Sequence, residues 1–177
     1  MKPADLVALI EANDLIETEL TVERNEFLKT AGSVDTRIYF IEEGSLRAFV
    51  VDDEEERTVR FGYQHNIFVS LDSFLTENPS DFVIQAIKRS RIKVIPKKRF
   101  MEFIYQDEAH LKLWVAILED LVIQQIEREK DLLIASPKER YERVLKRSPI
   151  LFQEIPNRYI ANYLRMTPET LSRLKKS

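Results

Sequence analysis

The chain has 177 residues, 44% of them hydrophobic and 32% charged, and a formal net charge of −3. These values are typical of a folded protein of one or two domains and exclude a disordered chain. The absence of cysteine excludes disulfides, thiolate metal sites and cysteine nucleophiles, and two histidines, His65 and His110, are too few for a multi-histidine metal site. We therefore expect no cofactor and no metal.

Charge is distributed unevenly along the chain. Residues 1–136 hold 17 Lys and Arg against 26 Asp and Glu, whereas residues 137–177 hold 10 against 4. A basic end on an acidic body is typical of proteins that meet nucleic-acid phosphates, although a solvated basic face gives the same count. No apolar run approaches the ~20 residues of a membrane span, and the first residues do not form a secretory signal, so a cytoplasmic protein without membrane contact is expected.

The first predicted element is a short amphipathic helix over residues 4–12, with Leu6, Leu9 and Ile10 on one face. From Thr18 to about Pro96, short runs rich in Val, Ile, Phe and Tyr predict strands. These runs are 36–41, 45–51, 58–63, 81–87 and 91–95. Glu43-Gly44 is expected to form a turn, and the acidic run 52–56 a hairpin tip. Regular short strands of this kind predict an antiparallel barrel or jelly roll.

Residues 107–135 form the longest predicted helix, and its apolar residues fall into two stripes. One stripe comprises Leu111, Trp114, Leu118 and Leu121, and the other comprises Val115, Val122, Ile126 and Leu133. Two stripes exceed what packing on one domain requires, so we expect a homodimer formed through this helix. Burial of the whole helix within one monomer is the alternative.

Ser136-Pro137-Lys138-Glu139 forms a capping box with proline at the first helical position. It predicts the start of a basic helix over residues 137–147 and a hinge between domains. Pro149 follows shortly after and is expected to break the helical run.

Residues 156–177 have the pattern of a helix-turn-helix. Ala161 is the small residue that two closely crossing helices require, and Thr167 and Pro168 predict the N-cap and first position of a recognition helix over residues 167–177. Apolar residues suited to the crossing are Ile160, Leu164, Met166, Leu171 and Leu174. Arg165 stands where many such turns carry glycine, so a positive φ is expected there. The alternative is a generic helical hairpin.

The residue types on the recognition helix are suited to base edges and phosphates. The predicted DNA-binding residues on it are Thr167, Pro168, Glu169, Thr170, Ser172, Arg173 and Lys176. Arg158, Arg165, Lys175 and Lys176 are expected to contact phosphates.

The order of elements resembles the catabolite-activator and fumarate–nitrate-regulator family of transcription factors. The motifs that carry the resemblance are 39–47 in the body and 158–161 with 167–173 near the C-terminus. The resemblance implies an α+β fold with three parts. These are a cyclic-nucleotide-binding-like antiparallel β-roll as effector domain (1–106), a dimerisation helix (107–136) and a helix-turn-helix domain (137–177). It also implies that Glu169 and Arg173 contact bases.

Alignment to this family places the effector pocket at Phe68, Val69, Ser70, Ser80 and Asp81. Members that bind cyclic AMP carry a Gly-Glu pair where Val69-Ser70 stands, and an Arg-Ser or Arg-Thr pair where Ser80-Asp81 stands. Losing the arginine removes a charge-assisted contact to phosphate, and Asp81 adds repulsion. We therefore expect an effector other than cyclic AMP, or none.

The sequence thus predicts a DNA-binding transcription regulator that acts as a homodimer on a near-palindromic site. The alternative is a small-molecule-binding or protein-interaction module with a residual helix-turn-helix. No glycine-rich phosphate loop, nucleophile–His–acid set or metal-ligand cluster is present in the sequence, so no enzyme is predicted.

Overall fold

The computed structural model describes residues 3–176, with side chains from Leu6 onward except Val7. Six strands form one antiparallel sheet in the order β1-β6-β3-β4, with β2 also paired to β6 and β5 to β3. The strands are β1 (Thr18–Val22), β2 (Phe27–Lys29), β3 (Ile38–Asp52), β4 (Glu55–Tyr63), β5 (Ile67–Phe68) and β6 (Val83–Ile95). The helices are α1 (Pro3–Ala12), α2 (Leu71–Thr76), α3 (Lys97–Tyr105), α4 (Glu108–Leu133), α5 (Pro137–Arg147), α6 (Leu151–Glu154), α7 (Asn157–Tyr163) and α8 (Pro168–Leu174).

Two strands are longer than the sequence predicts. Runs 36–41 and 45–51 join into β3, and runs 81–87 and 91–95 join into β6. The turn expected at Glu43-Gly44 is therefore wrong, because β3 continues through it against β6 with register shifts between Ile41 and Leu46. Gly44 has φ +98°, and a Cβ there would lie 2.2 Å from Ser90 Oγ. Glycine is thus required by an irregular strand that touches its neighbour, not by a turn.

The hairpin tip predicted at residues 52–56 is confirmed. β3 and β4 are joined at Asp53 and Glu54, whose φ values are 49° and 65°. Two successive positive φ values are those of a type I′ turn, whose twist matches that of the flanking strands. The acidic side chains are solvated there, so the turn tolerates their charge.

Apolar side chains on alternating positions of the strands fill the inside of the roll. The buried set is Val22, Tyr39, Ile41, Leu46, Phe68, Ile84, Ala86, Ile92 and Val94. A second core lies between the roll and the helices α1 to α4, where Trp114 meets Phe74 and Phe100 edge-on at 5.9 and 5.4 Å. The period-two pattern of the strands and the aromatic packing of the helices together hold α4 against the roll.

The inward face of α4 differs from the predicted stripe. Leu113 is its fully buried apolar residue, and Leu111 is 40% exposed. Trp114 is partly buried on the same core. The second stripe faces solvent along the helix: Val115, Val122, Ile126 and Leu133 are all exposed. No described helix is long and apolar enough to cross a membrane.

Candidate DNA-binding unit and effector cavity

Helices α5 to α8 pack around a third core that includes Ile87 of β6. Ser136 caps α5 by accepting a hydrogen bond from the Glu139 N–H at 3.3 Å, as the capping box predicts. Between α7 and α8, Ala161 is fully buried at the helix crossing. The apolar neighbours Ile160, Leu164 and Leu171 are fully buried with it, and Met166 packs at the edge. The local geometry of a helix-turn-helix is thus built by these residues.

The turn between α7 and α8 is held by two polar side chains. Thr167 caps α8, since its hydroxyl accepts from the Thr170 N–H at 3.2 Å, and Pro168 occupies the first turn. Arg165 has φ 54°, as expected for a position that favours glycine. Arg140 of α5 donates to the carbonyls of Leu164 at 2.9 Å and Arg165 at 3.1 Å. From the sequence, Arg140 contributes only to the positive charge of the region. These acceptors lie more than twenty residues away, so no local sequence pattern indicates the contact.

The predicted base-reading face of α8 is open to solvent. Thr167, Pro168, Glu169, Ser172, Arg173 and Lys176 are exposed, and Thr170 is half-buried. Hydrogen bonds from the Glu169 N–H and the Thr167 hydroxyl, together with the charge of Arg173, lower the pKa of the Glu169 carboxyl. Glu169 is therefore ionised at neutral pH and accepts hydrogen bonds, as readout of a cytosine amino group requires.

The four residues predicted to contact phosphates differ in whether their side chains already have partners within the protein. Arg165 and Lys176 are exposed at the two ends of α8. Arg158 donates to Tyr159 Oη at 2.5 Å and lies over that ring at 4.4 Å, while Lys175 donates to Asn157 Oδ1 at 2.8 Å. Arg158 and Lys175 are therefore already held by contacts within the helix-turn-helix.

The end of α4 is joined to the C-terminal helices by a network of ion pairs and hydrogen bonds. Asp131, fully buried, accepts from Arg143 at 3.1 Å and from Arg147, both on α5. Arg128 donates to the Tyr163 carbonyl at 2.5 Å, and its guanidinium lies 3.6 Å from the centre of the Tyr163 ring. The long helix is thus connected directly to α7.

The helix-turn-helix also rests on the edge of the sheet. The Asn162 side chain accepts from the Thr58 N–H of β4 at 2.8 Å and donates to the Glu56 carbonyl at 2.7 Å. The Phe61 and Tyr163 rings pack at 5.4 Å. These contacts give β4 the backbone partners that an edge strand otherwise lacks.

The residues predicted to form one effector pocket lie in two places. Phe68 and Val69 line a cavity of about 540 Å³ between the roll, α4 and the C-terminal helices. Ser70, Ser80 and Asp81 are outside that lining. Ser70 and Ser80 are buried, with their hydroxyls 3.3 Å apart, and Asp81 is exposed. The prediction of a single pocket is therefore wrong. Val69, which follows β5, lines the cavity, whereas the Ser70 hydroxyl is hydrogen-bonded to Ser80 and Asp72 outside it.

A lysine that the sequence did not single out lies next to the two serines. Lys29 of β2 is buried, and its ammonium donates to the carbonyls of Ser80 at 2.8 Å, Phe82 at 2.7 Å and Thr30 at 3.1 Å. Burial lowers the pKa of Lys29. Three carbonyl acceptors use the three donors of an ammonium group, so this cation is already satisfied by backbone.

Ser70 and Ser80 also support a carboxylate. Burial alone would raise the pKa of Asp72, but hydrogen bonds from Ser80, the Ser73 N–H and Ser70, with the charge of Lys29, hold it below its ordinary value. Among the described residues, no group of three or more His, Asp or Glu side chains is placed to hold a metal ion. The loop at 70–81 is thus organised by internal hydrogen bonds.

Comparison with known proteins agrees with this architecture. The family model described as the cyclic nucleotide-binding domain matches residues 19–107, half of the chain. Among curated proteins, none matches this chain by sequence.

Several solved structures share the fold over nearly all of the chain. FixK2 from Bradyrhizobium japonicum is 17% identical, with a TM-score of 0.75, covering 92% of this chain and 84% of that one. A CooA mutant from Carboxydothermus hydrogenoformans is 17% identical, with a TM-score of 0.70, covering 90% and 74%. The Catabolite Activator Protein of Thermus thermophilus is 18% identical, with a TM-score of 0.59, covering 99% and 85%.

All three are transcription regulators of the family that the sequence motifs resemble. At these identities the likeness is one of fold. The chain therefore belongs to the cyclic nucleotide-binding domain family, in the architecture of the catabolite-activator and fumarate–nitrate-regulator transcription factors.

Proposed function

We propose that this protein is a DNA-binding transcription regulator that acts as a homodimer on a near-palindromic site. The observation that carries the proposal is the open face of α8. All but Thr170 of its predicted DNA-binding residues are exposed, and beside them Ile160, Leu164 and Leu171 are fully buried at the helix crossing. A helix presented in this way is suited to entering a major groove with Glu169 and Arg173 toward the bases.

The exposed stripe on α4 supports the dimer. Val115, Val122, Ile126 and Leu133 repeat at intervals of seven and four residues along one side of the helix. Apolar residues at this spacing are typical of a two-helix seam. Pairing two copies would supply two recognition helices, which reach successive major grooves about 34 Å apart.

The β-roll is the sensing part of the proposed regulator, and its chemistry argues against cyclic AMP as effector. Ser80 stands where the phosphate-binding arginine of the related proteins is expected, and the nearby cation, Lys29, is saturated by carbonyls. Without a free cation the loop offers a phosphate no charge-assisted contact.

Selection of duplex DNA by the purified protein, followed by a salt titration, tests the proposal. We expect enrichment of two half-sites related by a near-palindrome, and an affinity that falls steeply as salt rises, because phosphate contacts release counterions. Failure to enrich any site, with an affinity insensitive to salt, would instead favour the small-molecule-binding or protein-interaction module.

A pair of variants ties that result to α8. We expect Arg173→Ala to weaken binding to the selected site by about 5- to 150-fold, since one base contact contributes ~1–3 kcal/mol. Arg89→Ala is the matched control, because Arg89 is also an exposed arginine but lies on β6, where it pairs with Glu23. Equal affinities of the two variants would contradict the assigned role of α8.

A further inference from the structure

The cavity between the roll, α4 and the C-terminal helices has two chemically different sides. Phe68, Phe74 and Trp114 give it an aromatic side. Arg60 of β4 and Arg128 of α4 give it a basic side, next to Tyr163 of α7. Its volume of about 540 Å³ is in the range of sites that hold small organic molecules.

Arg128 is a buried cation with an unused donor. The residue is only 7% exposed, and its Nη1 has no hydrogen-bond partner among the described residues. Its other contacts are with the carbonyl and the ring of Tyr163. Burial lowers the pKa of Arg128 by more than the charges of Tyr163 and Asp131 raise it. An unsatisfied buried donor of this kind is costly in a folded protein unless something pairs with it.

Arg60 is the second free cation. Its guanidinium is half-buried and makes no hydrogen bond or ion pair with any residue whose side chain the structure describes. Burial lowers its pKa too, and the charges of Tyr163 and Asp120 oppose that effect. Asp120 is already engaged, since its Oδ2 accepts from Gln124 at 2.6 Å.

The third arginine of the lining is neutralised. Arg147 pairs with the buried Asp131 and lies 3.9 Å from Glu127. Among the described lining residues, the charge left for a ligand is therefore that of Arg60 and Arg128, and the carboxylate that faces it is Asp120. Asp131 also acts on Arg128, but it is already paired with Arg143 and Arg147.

We propose that this cavity binds a small organic anion with an aromatic or otherwise apolar body, whose carboxylate pairs with Arg60 and Arg128. The apolar body would lie against Phe68, Phe74 and Trp114. This binding position differs from the loop at Ser70 and Ser80. Because Tyr163 belongs to the first helix of the helix-turn-helix, the site joins the roll to the DNA-binding unit. As an effector site it rests on the proposed function, whereas the binding itself does not.

Calorimetric titration with a matched pair of probes tests the proposal without DNA. Cinnamate and cinnamyl alcohol share an aromatic body and differ in the carboxylate. We expect the intact protein to bind cinnamate at least about tenfold more tightly than the alcohol, because charge-assisted hydrogen bonds to two arginines are lost with the alcohol. Equal affinities, or no binding of cinnamate at millimolar concentration, would overturn the proposal.

Two variants locate the site. We expect Arg60→Met to lose most of the preference for cinnamate, while Arg57→Met keeps it. Arg57 lies on the same strand but pairs with Asp52 and Glu55 near the hairpin tip. Thermal unfolding of both variants checks that the fold is kept. Retention of the full preference by Arg60→Met would refute the assigned contact, and a negative result here would leave the DNA selection unaffected.

Discussion

Arg165 shows how single residues are constrained at the turn. It adopts φ 54°, a left-handed conformation that is unfavourable for a side chain with a Cβ. The turn keeps this conformation because Arg140 donates to the carbonyls of Leu164 and Arg165 and so fixes the backbone on both sides. The strained conformation presents an exposed cation at a position where we propose a phosphate contact.

We predict that Arg165→Gly raises the free energy of unfolding by about 0.5–1 kcal/mol, because relief of the left-handed strain exceeds the added entropy of the unfolded chain. The same change should weaken DNA binding and reduce the salt slope by about one, as expected for one lost phosphate contact. Urea unfolding and salt titration measure the two effects. The control Lys146→Gly, in exposed helix, should destabilise by about 1 kcal/mol. A loss of stability in Arg165→Gly would contradict the strain argument.

At the scale of the element, α4 has a different role on each side. Leu113 and Trp114 pack against the aromatic core of the roll, and Arg128 and Asp131 bind the C-terminal unit. The remaining side carries the exposed stripe, where Leu133 is 84% exposed. One helix thus contacts both the roll and the C-terminal helices and leaves an apolar surface exposed, which is the surface of the proposed dimer.

We predict that Ile126→Asp shifts the monomer–dimer equilibrium toward monomer by at least about tenfold, because a carboxylate would be buried in the apolar seam. Sedimentation equilibrium measures the shift. Leu75→Asp is the matched control, since Leu75 is an exposed leucine on α2, away from the stripe. If the wild-type protein is a monomer, the proposed α4 seam is ruled out. If the two variants dimerise equally, Ile126 does not lie in the dimer interface.

At the scale of the whole molecule, polar contacts join the sheet to the C-terminal helices, in addition to the apolar core that includes Ile87. Arg47 of β3 pairs with Gln85 at 2.6 Å and Glu56 at 2.6 Å, and its guanidinium lies 4.6 Å from the Tyr159 ring of α7. Asn162 completes the contact by bonding both a donor and an acceptor of β4. Polar docking of this kind is specific in geometry and modest in energy.

We predict that Asn162→Ala destabilises the protein by about 1–3 kcal/mol, because the N–H of the buried Thr58 then lacks its acceptor. Hydrogen exchange at the Thr58 amide should accelerate in step with that loss. Asn78→Ala, in an exposed loop, is the control and should leave both quantities unchanged. An unchanged exchange rate at Thr58 would show that Asn162 does not hold the domains together.

The sequence by itself determined the features that depend on neighbouring residues. The caps at Ser136 and Thr167, the hairpin tip at 52–56, the small Ala161 and the positive φ of Arg165 all follow from interactions within a few residues. Capping, turn geometry and helical periodicity are local, so they leave a readable pattern.

Tertiary structure alone decided where distant segments meet. Glu43-Gly44 predicts a turn from the sequence, yet β6 pairs with this segment and β3 continues through it. Lys29 reaches the carbonyls of Ser80 and Phe82 from a strand about fifty residues away. Ser70 and Ser80 lie outside the cavity that Phe68 and Val69 line. Arg60 and Arg128 converge on one cavity from different elements. The chain order carries no signal for such encounters, because they depend on how complete surfaces pack and on which buried polar groups find partners.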